Sequence, residues 1–370
     1  MRRKLTGLVR AMAMFPALLL PHSILSGRDT GREIFRANCV ACHGTDGRGA
    51  PDTSRGFEAP KTFPDFTGCV ATTREPNRDW SAIVHNGGPA RGFSEIMPSF
   101  REALTAEQIE KVVQYLRGFC REPSWPRGEL NLPRALMTEK AFPEDEMVID
   151  AAIDTQGGGV TNRLVYERRF GSRNQIDLSM PFRFQRPGSG TWFGGTGDLT
   201  LGFKRVLVSS LRTGSILSVA GEAILPTGNA ARGLGKGVTV FEGFAAFGQV
   251  LPKDGFLQFQ GGFEAPTHTD DAAKAVFWRT VLGRTFAQEK GHGRLWSPMV
   301  ELLADRELVR GEGINWDVVP QFQVTLSRRQ HIRASAGFRI PVNNTGSRST
   351  QVMFYLLWDW FDGGLRDGWK

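Results

Sequence analysis

The residues with the clearest chemistry are two cysteines and a histidine near the amino terminus. Cys39, Cys42 and His43 form the pattern C-x-x-C-H, which is typical of covalent attachment of a c-type haem. Two thiols three positions apart reach the two vinyl groups of one porphyrin, and the adjacent His43 then ligates the iron. A redox dithiol or half of a zinc site is the alternative. The sequence favours one haem c, because it has no second C-x-x-C and no thioredoxin-like βαβ pattern.

The second axial ligand of such an iron should be a methionine or histidine further along the chain. Met97 is the preferred candidate, because it precedes Pro98 in a stiffened loop. A thioether ligand favours reduced iron and raises the potential. His85 is the rival candidate, and its alternative role is that of a surface residue.

The haem motif needs helices to position it. Residues 30–38 lead directly into the motif and predict a first helix. Thr105 and Gln108 fit a capping box at the start of a last helix, and Gly118 suits the end of that helix. Between them an apolar helical face recurs at i, i+3, i+4 and i+7. Its members are Ile109, Val112, Val113 and Leu116.

This order of first helix, C-x-x-C-H, Gly/Pro-rich loop, methionine and last helix resembles the class I monohaem cytochrome c family over residues 28–122. The resemblance implies a small all-α domain that carries electrons. It also implies the following roles: Cys39 and Cys42 as thioether sites, His43 as proximal ligand, Met97 as distal ligand, and Gly31 with Phe35 packing the first helix on Tyr115 or Leu116 of the last.

The amino-terminal residues 1–27 predict a removable secretory signal. A basic start with Arg2, Arg3 and Lys4 precedes a short apolar core, and the segment is too short to span a bilayer as a helix. An amphipathic anchor is the alternative. The signal holds four basic and no acidic residues, so its removal lowers the net charge from +8 to +4. This weak charge excludes a nucleic-acid partner.

Cys69 and Cys120 are the remaining two of four cysteines. Both fall within the predicted haem domain of an exported protein, where disulfides persist. We therefore predict that they form a disulfide. Two free buried thiols are the alternative.

The chain after residue 122 changes character. Residues 123–143 contain several prolines and no helical or strand period, which predicts an extended linker. Residues 144–361 then alternate apolar and polar side chains, the period of strands, and residues 362–370 form a C-terminal extension. Turn signals divide the alternating region into about twelve runs. The runs lie near 145–155, 160–170, 174–185, 196–208, 213–225, 238–250, 255–265, 275–288, 294–306, 315–327, 331–341 and 349–361.

These runs predict an antiparallel outer-membrane barrel. A soluble β-sandwich or a lipocalin-like barrel has the same alternation. The membrane reading is favoured by the aromatic last strand, which ends at Trp358, Trp360 and Phe361, and by charges on the polar face. Those charges are Arg183, Lys204, Glu222, Glu242, Arg279, Glu301, Arg333 and Arg339.

Two short motifs, at residues 197–202 and 224–228, resemble the outer-membrane family associated with meta-pathway phenol degradation. The whole chain is similar to cytochrome–porin fusions. The departure is at the carboxyl end, where nine residues follow the terminal aromatic residue.

The sequence thus predicts an electron carrier rather than an enzyme. Its haem domain faces the periplasm, its barrel contacts outer-membrane lipid, and its partners are periplasmic redox carrier proteins. About twelve strands leave too little room to enclose a cytochrome, so the haem domain should lie at the barrel mouth. The alternative function is a channel for small, possibly aromatic, molecules with an accessory cytochrome. A haem peroxidase would need an open iron position, which Met97 ligation denies.

Overall fold

The structure is a computed structural model that describes residues 30–60, 63–186, 190–288 and 292–359. The predicted signal at 1–27, the extension at 362–370 and the predicted strand residues Trp360 and Phe361 lie outside the described residues. The described chain consists of a small helical domain followed by a closed β-barrel.

Short helices make up the amino-terminal domain. They are α1 (Gly31–Asn38), α2 (Val40–His43), α3 (Asp52–Arg55), α4 (Cys69–Thr72), α5 (Asn77–Asn86) and α6 (Ala106–Arg117), with 3₁₀ turns at Gly88–Arg91, Gly128–Leu130 and, in the barrel, Ala230–Arg232. Capping boxes start the two helices that frame the domain, one at Thr30 and one at Thr105. None of the described helices is long and apolar enough to cross a membrane.

The first and last helices of this domain pack closely together, as expected. Gly31 permits the approach, because a Cβ at this position would lie 2.1 Å from the carbonyl oxygen of Lys111. One turn later the ring of Phe35 lies 5.4 Å from that of Tyr115. The apolar face of α6 is buried here, so Val112 and Val113 have almost no exposed surface. The contact of α1 with α6 therefore supports the haem motif, which follows α1 directly in the chain.

Within the described residues, fourteen strands form one antiparallel sheet, and twelve long ones close it into a barrel. The strands are β1 (Glu146–Asp154), β2 (Gly159–Phe170), β3 (Asn174–Gln185), β4 (Phe193–Thr196), β5 (Leu199–Ser210), β6 (Ser215–Leu225), β7 (Val240–Leu251), β8 (Gly255–Pro266), β9 (Ala275–Arg284), β10 (Phe286–Ala287), β11 (Leu295–Glu307), β12 (Asn315–Thr325), β13 (Ile332–Pro341) and β14 (Gln351–Asp359). The short strands β4 and β10 extend neighbouring strands at the rim.

The barrel closes where its first strand pairs with its last, from Glu146 opposite Asp359 to Asp154 opposite Gln351. The twelve long strands lie within a few residues of the twelve predicted runs, which confirms the fold expectation. Large apolar side chains, including Phe241, Phe263 and Leu282, face outward and are more than half exposed. The polar side chains on the same strands face inward.

The segment predicted as a linker does not remain outside the barrel. After the turn Gly128–Leu130 the chain enters the lumen, and it leaves only where β1 begins at Glu146. We call residues 130–145 the plug. Leu130 and Phe142 are buried against Ile216 and Phe244 of the wall. The barrel is therefore filled by its own amino-terminal segment.

Apolar residues of the plug fit against glycines of the wall. A Cβ added to Gly248 would lie 3.1 Å from the Cδ1 atom of Leu132. A Cβ added to Gly337 would lie 2.8 Å from the Cδ1 atom of Leu136. A side chain at Gly248 would press on Leu132 and on Ile216 of the wall, and one at Gly337 would meet Leu136 and the Pro320 carbonyl oxygen of the wall. The wall is thus shaped for this segment at two separate points.

Charged wall residues hold the plug by its backbone. The carboxylate of Glu301 accepts hydrogen bonds from the amides of Met137 and Thr138, at 3.1 and 2.9 Å. Arg279 donates to the carbonyl of Met137 at 2.7 Å, and Lys204 donates to that of Lys140 at 3.0 Å. These contacts satisfy a backbone that has no secondary structure of its own. Three of the charges predicted to face a wet lumen therefore bind protein instead.

Candidate haem site

The C-x-x-C-H motif lies where α1 turns into α2. The amide of Cys39 donates to the Phe35 carbonyl at 2.9 Å, which ends α1, and the amide of His43 donates to the Cys39 carbonyl at 2.9 Å. This one-turn arrangement places Cys39, Cys42 and His43 next to each other. Neither cysteine is in a disulfide, and both are half-buried.

The imidazole of His43 lies between two aromatic rings. It stacks on Phe63, with ring centres 5.3 Å apart, and meets Phe66 at 5.0 Å. Burial lowers the pKa of His43 to about 4, so the ring is neutral at physiological pH and has a lone pair for a metal. Its Nδ1 is shielded from solvent and has no hydrogen-bond partner among the described residues.

The pKa of Cys39 bears on whether the C-x-x-C motif attaches haem or acts as a redox dithiol. Burial, and secondarily the neighbouring Cys42, raises the pKa of Cys39 to about 11. Redox dithiols depend on a lowered thiol pKa, because the thiolate is the nucleophile. Cys39 has the opposite shift. The surroundings of the motif therefore do not suit the redox-dithiol alternative.

Met97 lies on the same apolar cluster as the motif. The cluster includes the buried residues Phe35 and Phe66, and Met97, Cys39 and Val40 pack against it. Hydrogen bonds fix the backbone on both sides of the methionine: the Gly88 amide donates to the Met97 carbonyl at 3.0 Å, and the Met97 amide donates to the Ser94 carbonyl at 3.3 Å.

His85, the rival ligand, belongs to a different environment. Its ring centre lies 4.3 Å from that of His292, in a loop of the barrel. Its Nδ1 lies 2.7 Å from the side-chain oxygen of Asn86. The geometry thus associates His85 with the contact between the domains and Met97 with the haem motif.

Cys69 and Cys120 form a disulfide, which confirms the predicted pairing. The bond joins α4 to the chain just beyond α6. It closes a loop that contains α5 and the Met97 segment.

The residues present fit a covalently bound haem. Two thiols outside any disulfide lie beside a neutral imidazole, and a thioether side chain packs on the same apolar cluster. The shielded Nδ1 of His43 has no hydrogen-bond partner among the described residues, so the site holds an orphaned buried nitrogen. Cys39 and Cys42 would hold the porphyrin, and His43 and Met97 would ligate its iron.

Comparison with known families agrees with this geometry. The model of the family "Cytochrome C oxidase, cbb3-type, subunit III" matches residues 27–116. The amino-terminal region is a cytochrome c domain. In this chain that cytochrome domain is fused to the twelve-stranded barrel described above.

Similar solved structures include one c-type cytochrome and several barrels. The KustC0563 c-type cytochrome is 27% identical, with 25% of this chain and 100% of the other covered and a TM-score of 0.20. An outer membrane channel from Pseudomonas putida F1 is 13% identical, with 62% and 99% covered and a TM-score of 0.43. The NanC porin is 7% identical, with 58% and 98% covered and a TM-score of 0.41. A search of curated proteins returned no significant match.

Sequence reasoning missed the contacts between the cytochrome domain and the barrel. His331, which had no evident partner in the sequence, is buried between Glu75 of the cytochrome domain at 3.1 Å and Asp359 of β14 at 3.0 Å. Arg74 pairs with Asp145 at the end of the plug. Glu75 and His331 lie 256 positions apart in the chain, so no local sequence pattern reveals this junction.

Proposed function

We propose that the chain is a c-type cytochrome that transfers single electrons through one covalent haem, anchored in the outer membrane by its barrel. His43 and Met97 would ligate its iron, and Cys39 and Cys42 would hold its porphyrin through thioether bonds. The observation that carries the proposal is that Cys39 and Met97 pack on one apolar cluster, while the ring of His43 meets Phe66 of that cluster. Cys42 precedes His43 in the same helical turn.

The chain's own residues shape what such a haem would do. When bound, the haem supplies an iron that changes by one electron. The apolar cluster would exclude water from it, the neutral His43 would ligate the iron, and the thioether of Met97 would stabilise reduced iron and raise the potential. With both residues as ligands the iron would have no open position. A peroxidase function is therefore disfavoured.

The membrane assignment rests on the barrel surface. Outward apolar side chains on strands of about ten residues match a lipid-facing wall. The turn at 211–214 lies at the cytochrome end and is short, whereas the connection at 226–239 lies at the opposite end and is long. Outer-membrane barrels have short periplasmic turns and longer external loops. This pattern supports a cytochrome that faces the periplasm and exchanges electrons with soluble carrier proteins there.

One haem at the periplasmic mouth does not bridge a hydrocarbon layer of about 30 Å. The proposed role is therefore electron transfer in the periplasm, with the barrel as its anchor. The plug weighs against the alternative of a small-molecule channel, because Glu301, Arg279 and Lys204 bind it inside the lumen.

The ligand assignment is tested by replacing Met97 with Ala in the full chain. Ferric wild-type protein should show the thioether–iron charge-transfer band, and M97A should lose it and fall in reduction potential. H85A is the matched control and should keep both. Persistence of the band in M97A, or its loss in H85A, would overturn the assignment.

The anchor reading is tested by fractionation and liposome swelling. Haem-stained protein should fractionate with the outer membrane and change mobility on heating. Liposomes that contain the wild-type protein should swell no faster in sugar solutions than empty ones. Fast swelling that is independent of haem would favour the channel.

A further inference from the structure

A turn of the barrel contacts the loop that carries Met97. We call residues 326–331, which connect β12 to β13, the brace turn. The Arg329 guanidinium donates to the Gly92 carbonyl at 3.0 Å and lies 4.2 Å over the ring of Phe93. Gly92 and Phe93 belong to the same loop as Met97. The barrel thus touches the ligand loop, and Arg329 is buried at this contact.

We propose that Arg329 is a positioning residue for the sixth haem ligand, so that the barrel helps to hold Met97 on the iron. The inference rests on the proposed function, because it assumes that Met97 ligates. It gives the barrel a second role besides anchoring.

Two backbone hydrogen bonds connect Phe93, which Arg329 contacts, to Met97. The amide of Phe93 donates to the Gly88 carbonyl at 2.9 Å, and the amide of Gly88 donates to the Met97 carbonyl at 3.0 Å. Only glycine fits at position 88, since a Cβ there would lie 2.1 Å from the Ser94 carbonyl oxygen. A displacement of Phe93 is thus transmitted to Met97.

A second arginine fixes the other side of the same loop. Arg91 is buried and pairs with Asp79 of α5 at 3.0 Å. Its other terminal nitrogen donates to the Arg328 carbonyl of the brace turn at 3.4 Å. The loop is therefore held between α5 and the barrel.

The brace turn is itself well fixed, as a support must be. The Ser327 hydroxyl accepts from the amides of His331 and Ile332, each at 3.1 Å. The Gln330 side chain donates to the Gly293 carbonyl at 2.7 Å. These bonds tie the turn to its own base and to the neighbouring loop, so Arg329 extends from a rigid position.

The chain offers a matched control in the same turn. Arg328 carries the same charge, but its side chain is exposed and its contact with Arg91 is made by the backbone carbonyl. R328A therefore removes one positive charge and keeps the contact. R329A removes the same charge together with both contacts to the loop.

The test measures how readily added imidazole displaces Met97 from ferric iron in the purified full-length protein in detergent. R329A should bind imidazole about tenfold more tightly than wild type, equivalent to about 1.4 kcal/mol. R329K keeps the charge and loses the planar contact, so its affinity should lie between the two. R328A should match wild type. In R329A that also carries F93A, the increase should be smaller than the product of the single effects, because both substitutions break one contact.

The outcomes separate the two proposals. If R329A, R329K and R328A all bind imidazole like wild type, the brace is refuted while His/Met ligation stands. If the wild-type protein lacks the thioether–iron band, or M97A binds imidazole no more tightly than wild type, the ligand assignment fails first. If R329A alone is too unstable to purify, the imidazole affinities of R329K and R328A are compared instead. Equal affinities refute the positioning role of Arg329.

Discussion

The cytochrome domain and the barrel place their apolar side chains on opposite sides. In the cytochrome domain Phe35 and Val112 are buried at the centre, whereas in the barrel Phe241 and Phe263 face outward. The barrel interior is instead mixed: beside the apolar contacts of the plug it buries polar wall residues such as Gln258, Gln260 and Glu301 almost completely.

This difference teaches how each interior is stabilised. Apolar packing holds the centre of the cytochrome domain, because the apolar side chains buried there gain from leaving water. Within the barrel the buried charges need partners, and the plug supplies many of them. Arg134 of the plug, for example, donates to Glu146 and Glu167 at 2.8 Å each. The two regions should therefore respond to different substitutions.

The largest effect should come from removing Arg134. R134A leaves the carboxylates of Glu139, Glu146 and Glu167 without their shared cation, and uncompensated buried charges cost about 3–5 kcal/mol. We expect a value near the upper end. Heat-modifiability on gels in detergent measures it, and R212A, in an exposed turn, is the control. Equal midpoints for the two variants would contradict a lumen stabilised by ion pairs.

The cytochrome core should lose about 4 kcal/mol when Phe35 is replaced by Ala, since large-to-small core changes remove contacts and leave a cavity. Denaturant unfolding followed by haem absorbance measures this loss. F241A removes the same ring from the outer face of the barrel and should leave the haem transition unchanged. A shift in F241A as large as that in F35A would contradict the separation of the two interiors.

Loss of the disulfide should cost about 3 kcal/mol, within the usual range for native disulfides. The double variant C69A/C120A should unfold its cytochrome domain at lower denaturant, while the barrel keeps its heat-modifiability. Reduced wild-type protein should behave like the variant. A concerted loss of both transitions would show that the barrel depends on the disulfide.

The smallest effect concerns the cap of α6. The Thr105 hydroxyl accepts from the amide of Gln108 at 3.2 Å, so T105A should destabilise the cytochrome domain by about 1 kcal/mol. T105S keeps the hydroxyl and should be nearly neutral. Equal losses in both variants would assign the effect to the methyl group rather than to the cap.

The sequence predicts the local features of both regions well. The C-x-x-C-H spacing, the capping box at Thr105 and the period-two runs depend on residues close in the chain, and each has a direct physical signature. The disulfide of Cys69 with Cys120 is expected because both cysteines fall within the haem domain of an exported protein, where disulfides persist.

The plug and the brace turn could not be predicted in this way. The plug has no period of its own, because its backbone bonds to side chains such as Glu301 and Arg279 rather than to a neighbouring strand. One signal was present: the segment combines Leu132, Leu136 and Phe142 with charged residues, which is unusual for a solvated linker. The contact of Arg329 with Phe93 joins positions 236 apart in the chain, so no local pattern records it.

The order of the plug in the chain also determines where the molecule can be divided. Because residues 130–145 fill the barrel yet precede its first strand, a cut at the composition boundary near residue 143 would yield a hollow wall with unpaired acids at Glu146, Glu167 and Glu301. A cut near residue 123, before the turn Gly128–Leu130, keeps the plug joined to the barrel. The plug must therefore stay with its own barrel when the cytochrome domain is fused to another one. The new barrel must then offer an end surface that fits the cytochrome domain.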